Sequence, residues 1–160
     1  MTIRPVEARD RPRLAEIVRR AGNFSEEEVE TAVELIDESI ESENEGDYIS
    51  FVIDESQAGL PAPHGYVCIG PASLAQGVYD LYWIVVDAAA RGRQYGQRLL
   101  RFAEEEVKRR GGRMVLIETS SLPEYEGTRR FYLAAGYPEV ARVPNFYKPG
   151  DDKIIYAKDV

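Results

Sequence analysis

The chain contains one cysteine, Cys68, one histidine, His64, and one tryptophan. A lone cysteine cannot form an internal disulfide, and Cys68 lies in an apolar stretch that predicts a buried side chain. No spacing of His, Cys and acidic residues is typical of a metal site, so we expect none. No apolar run approaches the roughly 20 residues that span a bilayer, and residues 2–5 do not begin a signal peptide. These absences predict a cytoplasmic protein that does not bind a membrane.

Basic residues are missing from one long segment and concentrated in another. Residues 26–47 hold eleven Asp and Glu and no Lys or Arg, whereas residues 91–113 hold eight Lys and Arg against three Glu. The overall net charge of −8 argues against nucleic-acid binding. A basic patch on an acidic chain fits a polyanionic small ligand, although two solvated helix faces of opposite sign would give the same pattern.

Hydrophobic periodicity predicts the element order β-α-α-β-β-β-α-β-α-β-β. The predicted strands are 2–6, 48–53, 65–70, 78–86, 114–117, 140–143 and 154–157. The predicted helices are 8–21, an acidic helix capped by Ser25 and Glu28, one from about 92 to Gly111, and 124–135. Short links predict an antiparallel meander for strands two to four, and the helical crossover makes 114–117 parallel to 78–86. We expect one α+β domain, residues 1–160, with a mixed, mostly antiparallel sheet of about seven strands flanked by about four helices.

Polar segments between these elements are expected to be loops. Residues 54–64 contain Gly and Pro, and His64 is expected to be exposed there. Asp151 and Asp152 follow Pro149-Gly150 and are expected to form a turn. Neither segment suggests a catalytic role.

One stretch combines a strand, a basic glycine-containing turn and a helix. The apolar strand 78–86 leads through residues 87–90 into the turn Arg91–Gly96, after which a long helix begins. Such a joint directs backbone N–H groups and the positive end of the helix dipole at one point. The segment therefore predicts a site for a phosphate or pyrophosphate, although many such joints only make the turn.

Two motifs in this order make the chain resemble the GNAT superfamily of acyl-CoA N-acyltransferases. The family's R/Q-x-x-G-x-G/A motif falls on Arg91–Gly96, and Phe131–Tyr137 (FYLAAGY) is similar to its F-Y-x-x-x-G-F/Y segment. Gln94 replaces the usual first glycine of the motif, and we expect it to have an ordinary negative φ in the first turn of the helix. Residues 118–123 lack the family's frequent Asn, so a hydroxyl group is expected to replace its polar contact.

The resemblance implies the GNAT fold, direct transfer of an acetyl group from acetyl-CoA, as co-substrate, to a primary amine, and a set of site residues. It implies that these residues contact acetyl-CoA: Ile84, Val85, Val86, Arg91, Gly92, Arg93, Gln94, Tyr95, Gly96, Gln97, Thr119 and Phe131. Tyr132 matches the family's general acid toward the leaving thiolate. Asp80 and Glu118 are equal candidates for the general base, and Asp80 is predicted on the same strand face as Ile84 and Val86.

The acceptor is less well defined by the sequence. In the resembling fold the first two helices border the acceptor site, so the acidic segment 26–47 favours a cationic small molecule or peptide. Polyamines, aminoglycosides and basic amino acids would all fit this description. A non-catalytic acyl-CoA sensor and an acidic protein-interaction module on the same scaffold are the alternatives, and either a monomer or a homodimer is compatible with the sequence.

Overall fold

The structure, a computed structural model, describes residues 1–56 and 59–160, so residues 57 and 58 of the loop predicted at 54–64 lie outside the described residues. Within these ranges the chain forms seven strands and four α-helices, in the order that the sequence predicts. The strands are β1 (Thr2–Pro5), β2 (Ile49–Asp54), β3 (Pro63–Pro71), β4 (Val78–Val86), β5 (Met114–Ser120), β6 (Glu139–Lys148) and β7 (Asp151–Asp159). The helices are α1 (Arg11–Arg20), α2 (Glu26–Glu41), α3 (Tyr95–Arg109) and α4 (Glu126–Ala134). The predicted fold class, a mixed α+β fold, is therefore confirmed.

The sheet has the order β1-β2-β3-β4-β5-β7-β6. Neighbouring strands are antiparallel except β4 and β5, which are parallel as predicted. Only four residue pairs join β4 to β5, from Val78↔Met114 to Leu81↔Ile117. Because β4 continues to Val86 and β5 continues to Ser120, the carboxyl ends of the two strands separate.

Helices cover the two faces of the sheet with separate hydrophobic clusters. On one face α3 packs through Leu99, Ala103 and Val107, and α4 adds the ring of Tyr132. On the other face α1 and α2 pack through side chains that include Leu14, Ile17, Val18, Val29 and Ile36. The predicted capping box begins α2: Ser25 Oγ accepts from Glu28 N at 3.2 Å, and Glu28 Oε2 accepts from Ser25 N at 2.6 Å. Within the described ranges, no helix is long and apolar enough to cross a membrane.

A β-bulge in β4 changes which residues share a face. Cys68 of β3 pairs with Trp83 while Ile69 pairs with Leu81, so Tyr82 is an extra residue. Alternation therefore reverses at Tyr82, and Ile84 joins Leu81 on the α3/α4 face. Asp80 lies on the opposite face from Ile84, and the prediction that the two share a face is wrong. A strict two-residue period cannot reveal an inserted residue.

Three other predictions differ from the structure. His64 is in strand β3 rather than in an exposed loop, and its ring stacks on Tyr95 with centroids 5.6 Å apart. Asp151 and Asp152 begin β7 rather than forming a turn, because Asp151 is buried and accepts a 2.5 Å hydrogen bond from Ser120 Oγ. The helix predicted from about 92 begins at Tyr95.

Candidate active site

A cavity of about 1390 Å³ opens where β4 and β5 separate. Its lining includes Ile84 and Phe131 from the α3/α4 face and Phe24 and Trp83 from the α1/α2 face. The cavity therefore passes through the sheet. We call its two parts the α3/α4 arm and the α1/α2 arm. The α3/α4 arm is bounded by the end of β4, the turn at 91–96 and α4. The α1/α2 arm is bounded by the α1–α2 loop, the 3-10 turn at Pro123–Tyr125, the end of β6 and the start of β7. Single-ligand pockets have volumes of about 300–1,000 Å³, so this cavity has room for two ligands.

The α3/α4 arm contains the start of helix α3. The first intrahelical hydrogen bond runs from Arg98 N to Gln94 O, at 3.1 Å. The N–H groups of residues 94–97 precede it and have no acceptor inside the helix. Arg91 lines the cavity beside them, as does Gly96. Backbone donors, the helix dipole and one guanidinium at the same place suit a phosphate or pyrophosphate group.

Gln94 has a left-handed backbone conformation rather than the predicted one. It caps α3 with φ 60° and ψ 19°, in the left-handed region, so the prediction of an ordinary negative φ is wrong. Its position corresponds to a motif glycine, which adopts this conformation without strain. For an L-residue the left-handed region costs about 1–2 kcal/mol. Gln94 therefore has the left-handed backbone conformation open to the motif glycine, and the protein accepts the conformational cost of an L-residue there.

A side network anchors the same turn from outside the cavity. The Tyr95 hydroxyl donates to Glu55, and Glu55 Oε2 lies 3.5 Å from Arg93 Nη1 and 3.4 Å from His64 Nε2. The Tyr95 hydrogen bond, with help from the charges of His64 and Arg93, holds the pKa of Glu55 below its ordinary value. Because Tyr95 is almost fully buried, the network fixes the first turn of α3 to the loop after β2.

The cavity lining divides the residues predicted to contact acetyl-CoA into two groups. Those that line the cavity are Ile84, Val85, Val86, Arg91, Gly96, Thr119 and Phe131. Those outside the lining are Gly92, Arg93, Gln94, Tyr95 and Gln97. For the second group the structure shows a supporting position around the turn, and their contact with a ligand stays a prediction.

Tyr132 lies at the inner end of the α3/α4 arm. It lines the cavity, is only 4% exposed and packs among the rings of Phe131, Tyr137 and Tyr156, with centroids 5.4–6.3 Å away. Burial raises the pKa of its phenol, so the hydroxyl is protonated at neutral pH. The protonated hydroxyl can therefore donate a hydrogen bond into the cavity.

The two candidate bases are close to each other but differ in access to the cavity. Glu118 lines the cavity and pairs with Lys153 at 2.9 Å, while Asp80 is not part of the lining. Burial, followed by the negative charge of Glu118, raises the pKa of Asp80. The position of Glu118 gives it direct access to a ligand, and Asp80 could act only through it or through water.

The link after β5 is held by side-chain contacts that the sequence did not reveal. Arg129 Nη1 donates to the carbonyl oxygens of Ser120 and Leu122, each at 2.8 Å. The Ser120 hydroxyl is already bonded to Asp151. Thr119, which lines the cavity, is therefore the hydroxyl best placed for the polar contact expected in this link.

Two segments that are distant in the sequence meet at the α1/α2 arm and form one of its walls. The Tyr125 hydroxyl donates to Asn23 O at 3.0 Å and so joins the 3-10 turn before α4 to the α1–α2 loop. Burial, together with the charges of Glu28 and Asp151, raises the pKa of Tyr125 to about 12. The same two acids, after burial and Glu118, raise the pKa of Tyr147, so these groups are close neighbours. Sequence reasoning missed Trp83, Tyr125 and Tyr147, because no local motif marks them.

Comparison with known proteins agrees with this architecture. Residues 12–137 match the model of the acetyltransferase (GNAT) family. A crystal structure of a GNAT-family protein from Desulfovibrio desulfuricans is 35% identical, with a TM-score of 0.92 over 99% of this chain and 98% of the other. An aminoglycoside 6′-N-acetyltransferase complexed with coenzyme A is 20% identical, with a TM-score of 0.75 over 99% and 97% of the two chains. The ribosomal-protein-S18-alanine N-acetyltransferase from Escherichia coli is 23% identical, with a TM-score of 0.72 over 99% and 93%. No curated protein is similar enough to count as a match.

The strands β4 and β5 separate beside the start of α3, and the matches above place this arrangement in an acetyltransferase fold. The chain belongs to the GNAT family of acetyltransferases, as its two motifs implied, and is an enzyme of the EC 2.3.1 class.

Proposed function

We propose that residues 1–160 act as one GNAT domain that transfers an acetyl group from acetyl-CoA directly to a primary amine of a small molecule or peptide. The observation that supports this most strongly is the through-going cavity at the β4–β5 separation. One arm offers anion-binding donors at the start of α3, and the other arm offers the carboxylate of Glu118. Two substrates that enter from opposite faces would meet beside Tyr132.

The donor fits the α3/α4 arm. Acetyl-CoA supplies the activated thioester and carries a pyrophosphate, for which the N–H groups of residues 94–97 and the Arg91 guanidinium are suitable partners. The exposed edge of β4 at Ile84–Val86, which β5 no longer pairs, provides backbone donors and acceptors for an amide-containing chain. A backbone N–H here can also polarise the thioester carbonyl.

The acceptor amine must lose one proton in the reaction, and the thiolate must gain one. A new nitrogen–carbon bond forms as the carbon–sulfur bond breaks, with no enzyme-bound intermediate. An alkylammonium has a pKa of about 10.4, so Glu118, directly or through water, is proposed to take up its proton. Tyr132 is proposed to donate a proton to the departing thiolate. Cys68 is buried and its pKa is raised to about 11, mainly by that burial, so it is a poor nucleophile.

The test begins with calorimetric titration of the protein with acetyl-CoA, followed by release of free thiol in the presence of amines. Saturable binding and amine-dependent thiol release, with acetylated amine detected by mass spectrometry, would support the proposal. Binding without transfer to any amine would point to a sensor, and no binding at low salt would exclude acetyl-CoA as the donor.

We also propose a cytoplasmic location and a monomer or homodimer as the working form. The single cysteine fits a reducing compartment, and the described helices include none that could span a membrane. Fractionation and size-exclusion chromatography with light scattering would test these two statements.

A further inference from the structure

The α1/α2 arm is walled largely by aromatic side chains. The rings that line this side of the cavity are Phe24, Tyr82, Trp83, Tyr125 and Tyr147. Phe24 meets Trp83 edge to face with centroids 5.1 Å apart, while Tyr82 and Tyr147 are 39% and 47% exposed. Ring surface that is gathered in a cavity and open to water favours an apolar or aromatic ligand.

Three of the four carboxylates that line this arm already have partners. Glu28 accepts from the backbone of its own capping box, Glu118 pairs with Lys153, and Asp151 accepts from Ser120. The fourth, Glu124, has no such partner among the described residues, and Lys148 adds one positive charge to the lining. A ligand with several ammonium groups would therefore find few uncommitted acids here, whereas a single ammonium can share Glu118.

The acidic segment, residues 26–47, does not change this balance of charges in the α1/α2 arm. Of its eleven acids, only Glu28 lines the through-going cavity. Glu38, Glu41 and Asp47 line a separate, smaller cavity of about 310 Å³. Residues 26–47 thus give the described lining little charge with which to bind a polycationic acceptor.

On the basis of the proposed function, we propose that the acceptor is a primary monoamine whose amino group is carried on a short chain by an aromatic ring. The ring would pack against Trp83 and Tyr147, and the amino group would point toward Glu118 at the junction of the two arms. The aromatic walls have two effects on the reaction. They attract the ammonium in the bound state and, by removing water, lower its pKa, so that proton transfer to Glu118 becomes easier.

The test compares amines that differ in one property at a time. 2-Phenylethylamine and tyramine are matched with 2-cyclohexylethylamine, which has the same charge and length but no aromatic face. Spermidine and kanamycin represent polycations. Rates are measured as acetylated product at fixed acetyl-CoA, with acetyl-CoA binding measured separately by calorimetry.

We expect kcat/KM for 2-phenylethylamine to exceed that for the cyclohexyl analogue by about three- to fivefold, the usual size of ring–ring and cation–ring effects. We expect an advantage of at least about tenfold over spermidine and kanamycin, since one extra buried, unpaired charge costs more than this factor. Equal rates for the ring pair, or faster transfer to either polycation, would overturn the inference and leave the proposed function standing. Acetyl-CoA binding without transfer to any of these or other amines would overturn both.

A variant series connects the preference to the named rings. Tyr147→Leu removes a ring from an exposed position on edge strand β6, so the fold is not at risk, and Trp83→Leu removes one from β4. Each should reduce the preference for 2-phenylethylamine over its cyclohexyl analogue toward unity while the Kd for acetyl-CoA stays the same. Phe146→Leu is the matched control, because Phe146 neighbours Tyr147 but does not line the cavity. An undiminished preference in both cavity variants would contradict the proposal.

Discussion

One arm of the cavity is built mainly from backbone groups and the other mainly from side chains. The α3/α4 arm relies on backbone groups, namely the N–H groups at the start of α3 and the unpaired edge of β4, with Arg91 added. The α1/α2 arm relies on side chains, mostly rings and paired carboxylates, and the rings alone come from four separate elements. Because nearly every residue has the same backbone groups, the α3/α4 arm tolerates substitution. In the α1/α2 arm, each substitution changes the lining itself. We therefore expect a substitution to affect the proposed acceptor site more than the proposed donor site.

The largest expected effect belongs to the residue that lies between the arms. Tyr132→Phe removes the proposed proton donor without changing the ring packing, so kcat should fall by about 100-fold. The Kd for acetyl-CoA and the KM for the amine should change little, because neither arm is altered. Stopped-flow or steady-state thiol release combined with calorimetry would measure all three quantities.

Tyr137→Phe is the matched control for this variant. Tyr137 packs in the same ring cluster, but its hydroxyl donates to Glu104 at 2.8 Å and the residue does not line the cavity. Its kcat should stay within about twofold of the wild type, with only the roughly 1 kcal/mol loss of stability expected for one hydrogen bond. Equal losses of kcat in the two variants would show that the Tyr132 hydroxyl acts through packing alone.

The next effect separates the two candidate bases. Glu118→Gln should lower kcat/KM by about 10- to 100-fold, the usual contribution of a general base. Asp80→Asn should have a smaller effect, because Asp80 is outside the cavity lining. Steady-state kcat/KM of both variants, measured with the same amine, checks this order. The reverse pattern would assign the base to Asp80, whose pKa is raised by burial and by Glu118.

A smaller effect concerns only the α3/α4 arm. Arg91→Ala should raise the Kd for acetyl-CoA by about tenfold, which is typical for the loss of one charge-assisted hydrogen bond at an accessible site. Arg93→Ala should raise it by only about twofold, because the Arg93 guanidinium faces Glu55 and is outside the lining. Calorimetry at two salt concentrations would test this, and equal effects of the two variants would show that both arginines bind phosphate.

The smallest expected effect tests the network that anchors the turn. The pKa of Glu55 is below its ordinary 4.5, chiefly through the Tyr95 hydrogen bond, so its ionised form stabilises the folded state. This contribution is complete above pH 4.5 and is lost as the pH falls through the lowered folded-state value. Glu55→Gln should therefore lower Tm at pH 7 but not at strongly acidic pH, where the wild-type side chain is neutral. A Tm difference that is constant across this range would contradict the assignment.

Features that depend on residues close together in the sequence could be predicted from it. The Arg91–Gly96 and Phe131–Tyr137 motifs indicated the family, and period-two and period-3.6 patterns gave the seven strands and four helices of the described ranges in the correct order. The capping box at Ser25 was also visible, because both of its bonds join residues three apart.

Features that depend on distant contacts could not be predicted in this way. The bulge at Tyr82 is set by pairing with β3, and the role of Asp151 is set by Ser120, 31 residues earlier. The left-handed Gln94 follows from the direction that α3 must take after the turn. The rings of the α1/α2 arm come from distant parts of the chain, and its contact between Asn23 and Tyr125 joins residues 102 apart.

The position of β7 affects the order in which the two arms gain their residues during synthesis. This strand is late in the sequence, yet it lies inside the sheet, between β5 and β6. β6 pairs with no other strand in the described ranges, so the hairpin that carries Tyr147 has no support until β7 docks on β5. On the ribosome, the α3/α4 arm is fully synthesised once α4 has emerged, while the α1/α2 arm still lacks one wall. A nascent chain thus contains the lining residues of the proposed donor site before it contains the last wall of the proposed acceptor site.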